Sequence, residues 1–208
     1  MRKLLLTMFT AAVAGTGACA LSPREAFVNA PRRVIAAIDS ITRLDMLDYY
    51  ASGSSVASRN AFGGDSRVTL LSDDAITVST STSSEVMMAV LPGQRDSMLL
   101  VVNTLALPAP DSKAVVYDRH WGEAGKKLQL PDHNDLSIWL RPESKSNCKE
   151  LENLIPFIPA IYTYKDGVLT ATNTLGRLIP ADDYKKIKSC LKPSVSYRWD
   201  GKKWAVLK

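Results

Sequence analysis

The chain has few of the residues that build most catalytic and metal centres. Its 208 residues include two histidines and three cysteines, which is too few and too scattered a set for a zinc site. There is no G-x-S-x-G nucleophile elbow, no P-loop and no twelve-residue calcium loop. We therefore expect no metal ion and no other cofactor.

Long apolar runs are also scarce, and the one present lies at the start of the chain. An uncharged, mostly apolar segment covers Leu4–Gly17 and follows Arg2 and Lys3. Ala18-Cys19-Ala20 then supplies the small residues of an A-x-A cleavage site. The pattern predicts a signal peptide over residues 1–20, export to the periplasm or cell surface, and no transmembrane segment after cleavage.

Cys19 has a second interpretation, as the lipidated first residue of a lipoprotein. The residues before it lack the aliphatic side chain usual in a lipobox, so plain cleavage is favoured. The net charge of +5 falls to +3 when Arg2 and Lys3 are removed. This charge is too small to indicate nucleic acid as a partner. A partner in the cell envelope, either a protein or a glycan, is expected instead.

Two cysteines remain after cleavage, Cys148 and Cys190. In an oxidising compartment they are a candidate disulfide. The alternative is a pair of separate thiols, and the sequence leaves both open.

The first thirty residues after cleavage have a helical pattern. Ser22 is a candidate N-cap with Glu25 in the capping-box position, which predicts a helix up to about Asn29. Apolar spacing predicts two further helices, at 32–38 and 41–51.

After the helical part, apolar and polar residues alternate along the chain. This alternation predicts strands near 67–72, 75–82, 85–91, 98–107 and 114–121. A polar segment follows, predicted as a linker over 123–149 with one candidate strand at 136–140. In the last part, two Asp-Gly pairs predict two-residue hairpin turns, with a helix over 180–191 between them. In the second hairpin, such a turn places Tyr197 opposite Trp204.

Together these elements predict an α+β fold in which N-terminal helices pack on an antiparallel meander sheet. A weak sequence similarity between residues 100–105 and residues 169–175 allows two related halves, over 21–122 and 150–208. The alternative is a β-barrel with helices at one end.

Five segments resemble a family of exported Bacteroidetes proteins that is a domain of unknown function. They are REAFVNAP (24–31), RLDMLDYY (43–50), LLSDD (70–74), DYKKIK (183–188) and YRWDGK (197–202). The resemblance implies export and a single family unit covering nearly the whole mature chain. It implies no catalytic residues.

Two groups of residues are candidates for function. His120 and Asp118 alternate along a predicted strand and so share a face, which would suit a histidine–carboxylate pair in a periplasmic hydrolase. Tyr197, Trp199 and Trp204 form an aromatic ribbon that would suit binding. The favoured hypothesis is a non-enzymatic binding or interaction module. The alternatives are the hydrolase and an inhibitor-like module that binds a hydrolase.

Overall fold

A computed structural model describes residues 21–94, 96–106, 108–142, 148, 155 and 157–207. The predicted signal peptide and Cys19 lie outside these residues. Within the described part, no helix has the length and apolar character needed to cross a membrane.

Two helices open the described chain, α1 (Pro23–Asn29) and α2 (Ser40–Ala51). Helix α1 begins with the predicted capping box, in which the Ser22 hydroxyl and the Glu25 carboxylate each accept from the other residue's backbone N–H. Asp39 is the N-cap of helix α2, and its side chain accepts hydrogen bonds from the backbone N–H groups of Ile41 and Thr42.

The predicted helix at 32–38 is wrong, because this segment forms turns. The backbone N–H groups of Val34 and Ile35 both donate to the Pro31 carbonyl, which makes a single turn after the proline. The carbonyl groups of Ile35 and Ile38 accept from the Arg43 guanidinium, which holds the segment against α2.

Six strands form a large sheet in the simple order β1-β2-β3-β4-β5-β6. Every neighbouring pair is antiparallel, as predicted for a meander. The strands are β1 (Ser58–Arg59), β2 (Asp65–Leu71), β3 (Ala75–Ser79), β4 (Ser84–Leu91), β5 (Met98–Leu105) and β6 (Asp111–Asp118).

Four more strands form a second antiparallel sheet, β7 (Ala160–Lys165), β8 (Val168–Asn173), β9 (Ser194–Trp199) and β10 (Trp204–Val206). The first Asp-Gly pair makes the predicted two-residue turn, since Asp166 and Gly167 both have positive φ and join paired residues. Between the two hairpins lies α4 (Ala181–Ile187), inside the range predicted for a helix.

The predicted register of the second hairpin is wrong. Trp204 pairs with Trp199, and Tyr197 pairs with Val206. The connection spans four residues because the Asp200 carboxylate accepts from the backbone N–H groups of Lys202 and Lys203. These bonds stabilise a longer turn, and the longer turn moves every cross-strand pair.

The predicted strand at 136–140 is also wrong, since residues Leu136–Trp139 form the short helix α3. Asp135 caps this helix by accepting from the Ser137 N–H. Trp139 is fully buried, and its indole N–H donates to the His133 carbonyl at 2.7 Å. The segment predicted as a linker therefore contributes a large side chain to the core.

The large sheet is covered on both faces, so the molecule has three layers. Residues such as Ile76, Met88 and Leu99 face the N-terminal helices. Their neighbours along the same strands, such as Leu100, pack with residues of the second sheet, including Leu169. Two open sheets and a helical layer give an α+β fold, as predicted, and the described strands form no closed barrel.

Cys148 and Cys190 lie 42 residues apart in the sequence and 6.2 Å apart between Cα atoms, with their sulfur atoms bonded. This bond attaches the segment before β7 to the end of α4. A bridge between Leu140 and Leu191 joins the same two regions.

Candidate binding cleft

A cleft of about 690 Å³ opens where one end of the large sheet meets the tip of the second sheet. We call it the Trp199 cleft. Its apolar lining comes from Met98, Leu128 and Trp199. Its polar and charged lining comes from Gln94, Asp96, Ser97, Asp118, Arg119, His120 and Lys202, and two glycines, Gly93 and Gly201, complete it.

Trp199 is positioned by two contacts. Its indole N–H donates to the Pro92 carbonyl at 2.6 Å, which attaches the second sheet to the β4–β5 connection. Its ring packs on Trp204 with the ring centroids 5.3 Å apart. The indole N–H is thus already used, and Trp199 offers the cleft an apolar surface held in one orientation.

The connection after β6 supplies the opposite side of the cleft. The Asp118 carboxylate accepts from the backbone N–H groups of His120 and Gly122, at 2.8 and 2.9 Å. Within this turn Trp121 has φ +68°, a left-handed conformation that is strained for a bulky residue. The Arg33 guanidinium donates to the Trp121 carbonyl and helps to hold the turn.

Arg119 and Asp96 form an ion pair at 3.1 Å between the β6 turn and the β4–β5 connection. Both side chains are about half exposed, so the pair contributes little stability. Its charges remain available to a ligand.

The structure places both candidate catalytic residues in this cleft but does not make them a catalytic pair. The Asp118 carboxylate accepts hydrogen bonds from the backbone of the turn, and no hydrogen bond joins it to the His120 imidazole in the described residues. Ser97 is the hydroxyl-bearing residue among those lining the cleft, and no hydrogen bond to His120 is observed for it there.

The three aromatic candidates have different positions. Trp199 lines the cleft, although only 7% of it is exposed. Trp204 does not line the cleft but packs against the Trp199 ring. Tyr197 is 1% exposed and belongs to the core between the sheets, where burial raises the pKa of its hydroxyl.

A histidine–carboxylate contact does exist, but between other residues. His133 Nε2 lies 3.2 Å from Asp111 Oδ1 in a small pocket of about 410 Å³ away from the Trp199 cleft. The His133 ring also packs edge-on against Tyr162. Sequence reasoning missed this contact because 21 intervening residues fold back to make it, and no local spacing signals it.

The fold and this cleft define an α+β protein with a formed ligand-sized pocket and no assembled catalytic residues in its described part. The chain belongs to the family described as protein of unknown function DUF3256, which matches residues 17–204.

The fold is similar to that of a domain of an uncharacterized protein from Porphyromonas gingivalis W83, with a TM-score of 0.70. The likeness covers 88% of this chain and 96% of that chain at 19% sequence identity. No curated protein matches.

Proposed function

We propose that the protein is an exported, non-enzymatic binding module that holds a segment of another cell-envelope protein in the Trp199 cleft. The observation that carries the proposal is the cleft itself. Its volume of about 690 Å³ falls within the range of ligand pockets, and it lies at a junction between two sheets.

The chemistry of the lining favours a polypeptide segment. An apolar side chain fits against Met98, Leu128 and Trp199, and methionine adapts its shape to different partners. The rim carries both signs of charge, on Asp96 and on Lys202, as well as the neutral amide of Gln94. A peptide presents apolar, charged and amide groups together, so it complements this mixture.

Export supports the choice of partner. The apolar start of the chain predicts translocation, and a protein outside the cytosol meets envelope proteins and glycans. The cleft has no histidine–nucleophile contact in the described residues, which favours binding over hydrolysis. An inhibitor-like module would use the same cleft, with a hydrolase as the partner.

The test begins with peptides selected from a phage-displayed library against the purified mature protein. Binding of each peptide is then measured for two neighbouring charge reversals. Lys202→Glu alters the cleft, whereas Lys203→Glu alters a lysine outside it on the same turn. We expect Lys202→Glu to weaken binding by about tenfold and Lys203→Glu to change it by less than about twofold.

A second pair of variants tests the apolar part of the cleft. Leu128→Glu places a charge in the lining, and Leu105→Glu places the same charge on an exposed residue at the far end of β5. Peptides that bind both cleft variants as tightly as the wild type would overturn the proposal. So would a chain that selects no peptide but binds an envelope glycan in the same cleft.

A further inference from the structure

We propose that a second pocket, separate from the Trp199 cleft, binds a neutral sugar. This pocket has a volume of about 480 Å³ and lies between the N-terminal turn segment and the large sheet. We call it the Phe62 pocket. Its polar lining comes from Asn60, Thr80, Ser81, Ser84 and Asn103, and Phe62 supplies an aromatic ring.

The aromatic ring belongs to a hydrogen-bonded turn. Phe62 is 75% exposed, yet its backbone is fixed by the Asn60 carboxamide. The Asn60 Oδ1 atom accepts from the N–H groups of Phe62 and Gly64, at 3.0 and 3.1 Å. The Asn60 amide group donates in turn to the Thr80 carbonyl at 2.9 Å, which ties the turn to the sheet. Because the turn that carries the ring is already held, a ligand that packs on the ring does not have to order the backbone there.

Hydroxyl groups lie together on another side of the pocket. The Ser84 hydroxyl lies 2.7 Å from the hydroxyl groups of both Thr80 and Ser81. Each hydroxyl has one donor and two acceptor positions, so these three hydroxyl groups can still form hydrogen bonds with a ligand. Asn103 adds a carboxamide that makes no hydrogen bond within the described part of the chain.

The absence of charge decides the class of ligand. No ionisable side chain lines the Phe62 pocket in the described residues, although Lys113 lies opposite Asn103 on the neighbouring strand. A charged ligand would lose its hydration here without gaining an opposite charge. A purely apolar ligand would displace water from the hydroxyl groups and from the Asn103 carboxamide without replacing the hydrogen bonds of that water. A neutral sugar satisfies both conditions, because its hydroxyl groups bond to the polar lining and its C–H face packs on the Phe62 ring.

The experiment measures binding of the methyl glycosides of glucose, galactose, mannose and N-acetylglucosamine by saturation-transfer NMR. D-glucuronate is the charged control. We expect saturable binding of at least one neutral glycoside and none of D-glucuronate. Phe62→Ala should weaken that binding about fivefold or more, and Phe157→Ala, the same change at another exposed ring, by less than about twofold.

Two results of the glycoside measurement would overturn this inference. The first is no saturable binding of any neutral glycoside, and the second is binding that Phe62→Ala leaves unchanged. Lys202→Glu separates this site from the Trp199 cleft, because it should alter peptide binding without altering glycoside binding. A peptide that needs Phe62 would assign the pocket to a protein partner and would also contradict the inference.

Discussion

At the scale of the residue, Arg43 organises the N-terminal layer. It is 3% exposed, and its guanidinium donates to five backbone carbonyls at the end of α1 and in the turns that follow. Burial lowers the pKa of Arg43, but an arginine stays charged at any physiological pH. The buried charge is matched by carbonyl dipoles, including those at the C-terminal end of α1.

We expect Arg43→Met to lower the free energy of unfolding by about 3 kcal/mol, because it leaves buried carbonyl groups without donors. Urea denaturation measures the change. Arg24→Met is the matched control, since Arg24 is partly exposed and its ion pair with Asp48 lies at the surface. It should cost less than about 1 kcal/mol. Equal losses for the two variants would contradict the role given to Arg43.

A second residue-scale prediction concerns acid. The backbone N–H and the hydroxyl of Thr42 hold the pKa of Asp39 below its usual range. A carboxylate with a lowered pKa in the folded state stabilises the fold above the unfolded pKa of about 4, and this contribution is lost as the pH falls further.

Asp39→Asn keeps a capping side chain but removes the titration. Denaturation at neutral pH and near pH 3 should therefore show a smaller loss of stability in acid for the variant than for the wild type. The same loss in both proteins would show that Asp39 does not contribute to the acid response.

Sequence reasoning at this scale succeeded where contacts are local. The Ser22 and Glu25 capping box lies within four residues and could be predicted from its spacing. The bonds of Arg43 and the contact between His133 and Asp111 could not, because chain folding brings their partners together.

At the scale of the element, local chemistry decides each turn. The Asp166-Gly167 pair makes the predicted turn because both residues adopt positive φ. Among the described residues, the Asp166 carboxylate accepts no hydrogen bond that would lengthen the turn. Asp200 precedes a glycine as well, but its carboxylate binds two later N–H groups and lengthens the loop. The resulting register places Trp199 beside Trp204 and so produces one wall of the Trp199 cleft.

The Cys148–Cys190 disulfide belongs to the same scale, because it joins two segments across 42 residues. In the chain-entropy view, closing a loop of this length stabilises the fold by about 4 kcal/mol. Replacing both cysteines by alanine should lower the free energy of unfolding by an amount of this order. A reducing agent should destabilise the wild type and leave the double variant unaffected.

Thiol titration of the denatured, unreduced chain of residues 21–208 checks the bond directly. It should detect no free thiol from Cys148 or Cys190. Two reactive thiols, together with a stability that does not respond to reducing agent, would contradict the disulfide.

At the scale of the whole molecule, the three layers explain why the binding surfaces lie where they do. The large sheet is covered by helices on one face and by the second sheet on the other. Where these layers cover the sheet its faces are not available, and the Trp199 cleft forms at the end of the sheets, where connections rather than strands meet.

The sequence predicted the α+β class and most strands, because alternation and turn residues are local signals. It did not predict the second covered face of the large sheet. The central strands carry runs such as Val86–Ala89 that are buried on both sides, and such runs do not tell which layer covers each face. The cleft depends on that stacking and so could not be predicted either.

The most direct test of the central claim is an NMR titration of the ¹⁵N-labelled chain of residues 21–208 with a selected peptide. The Trp199 indole N–H bonds to Pro92 at the edge of the cleft, whereas the indole N–H of the buried Trp139 bonds to the His133 carbonyl and Trp139 does not line the cleft. We predict that the Trp199 indole signal and the backbone signals of 96–98 and 118–120 shift together while the Trp139 indole signal stays in place. Peptide binding that leaves the Trp199 signal and both backbone segments unchanged would contradict the account.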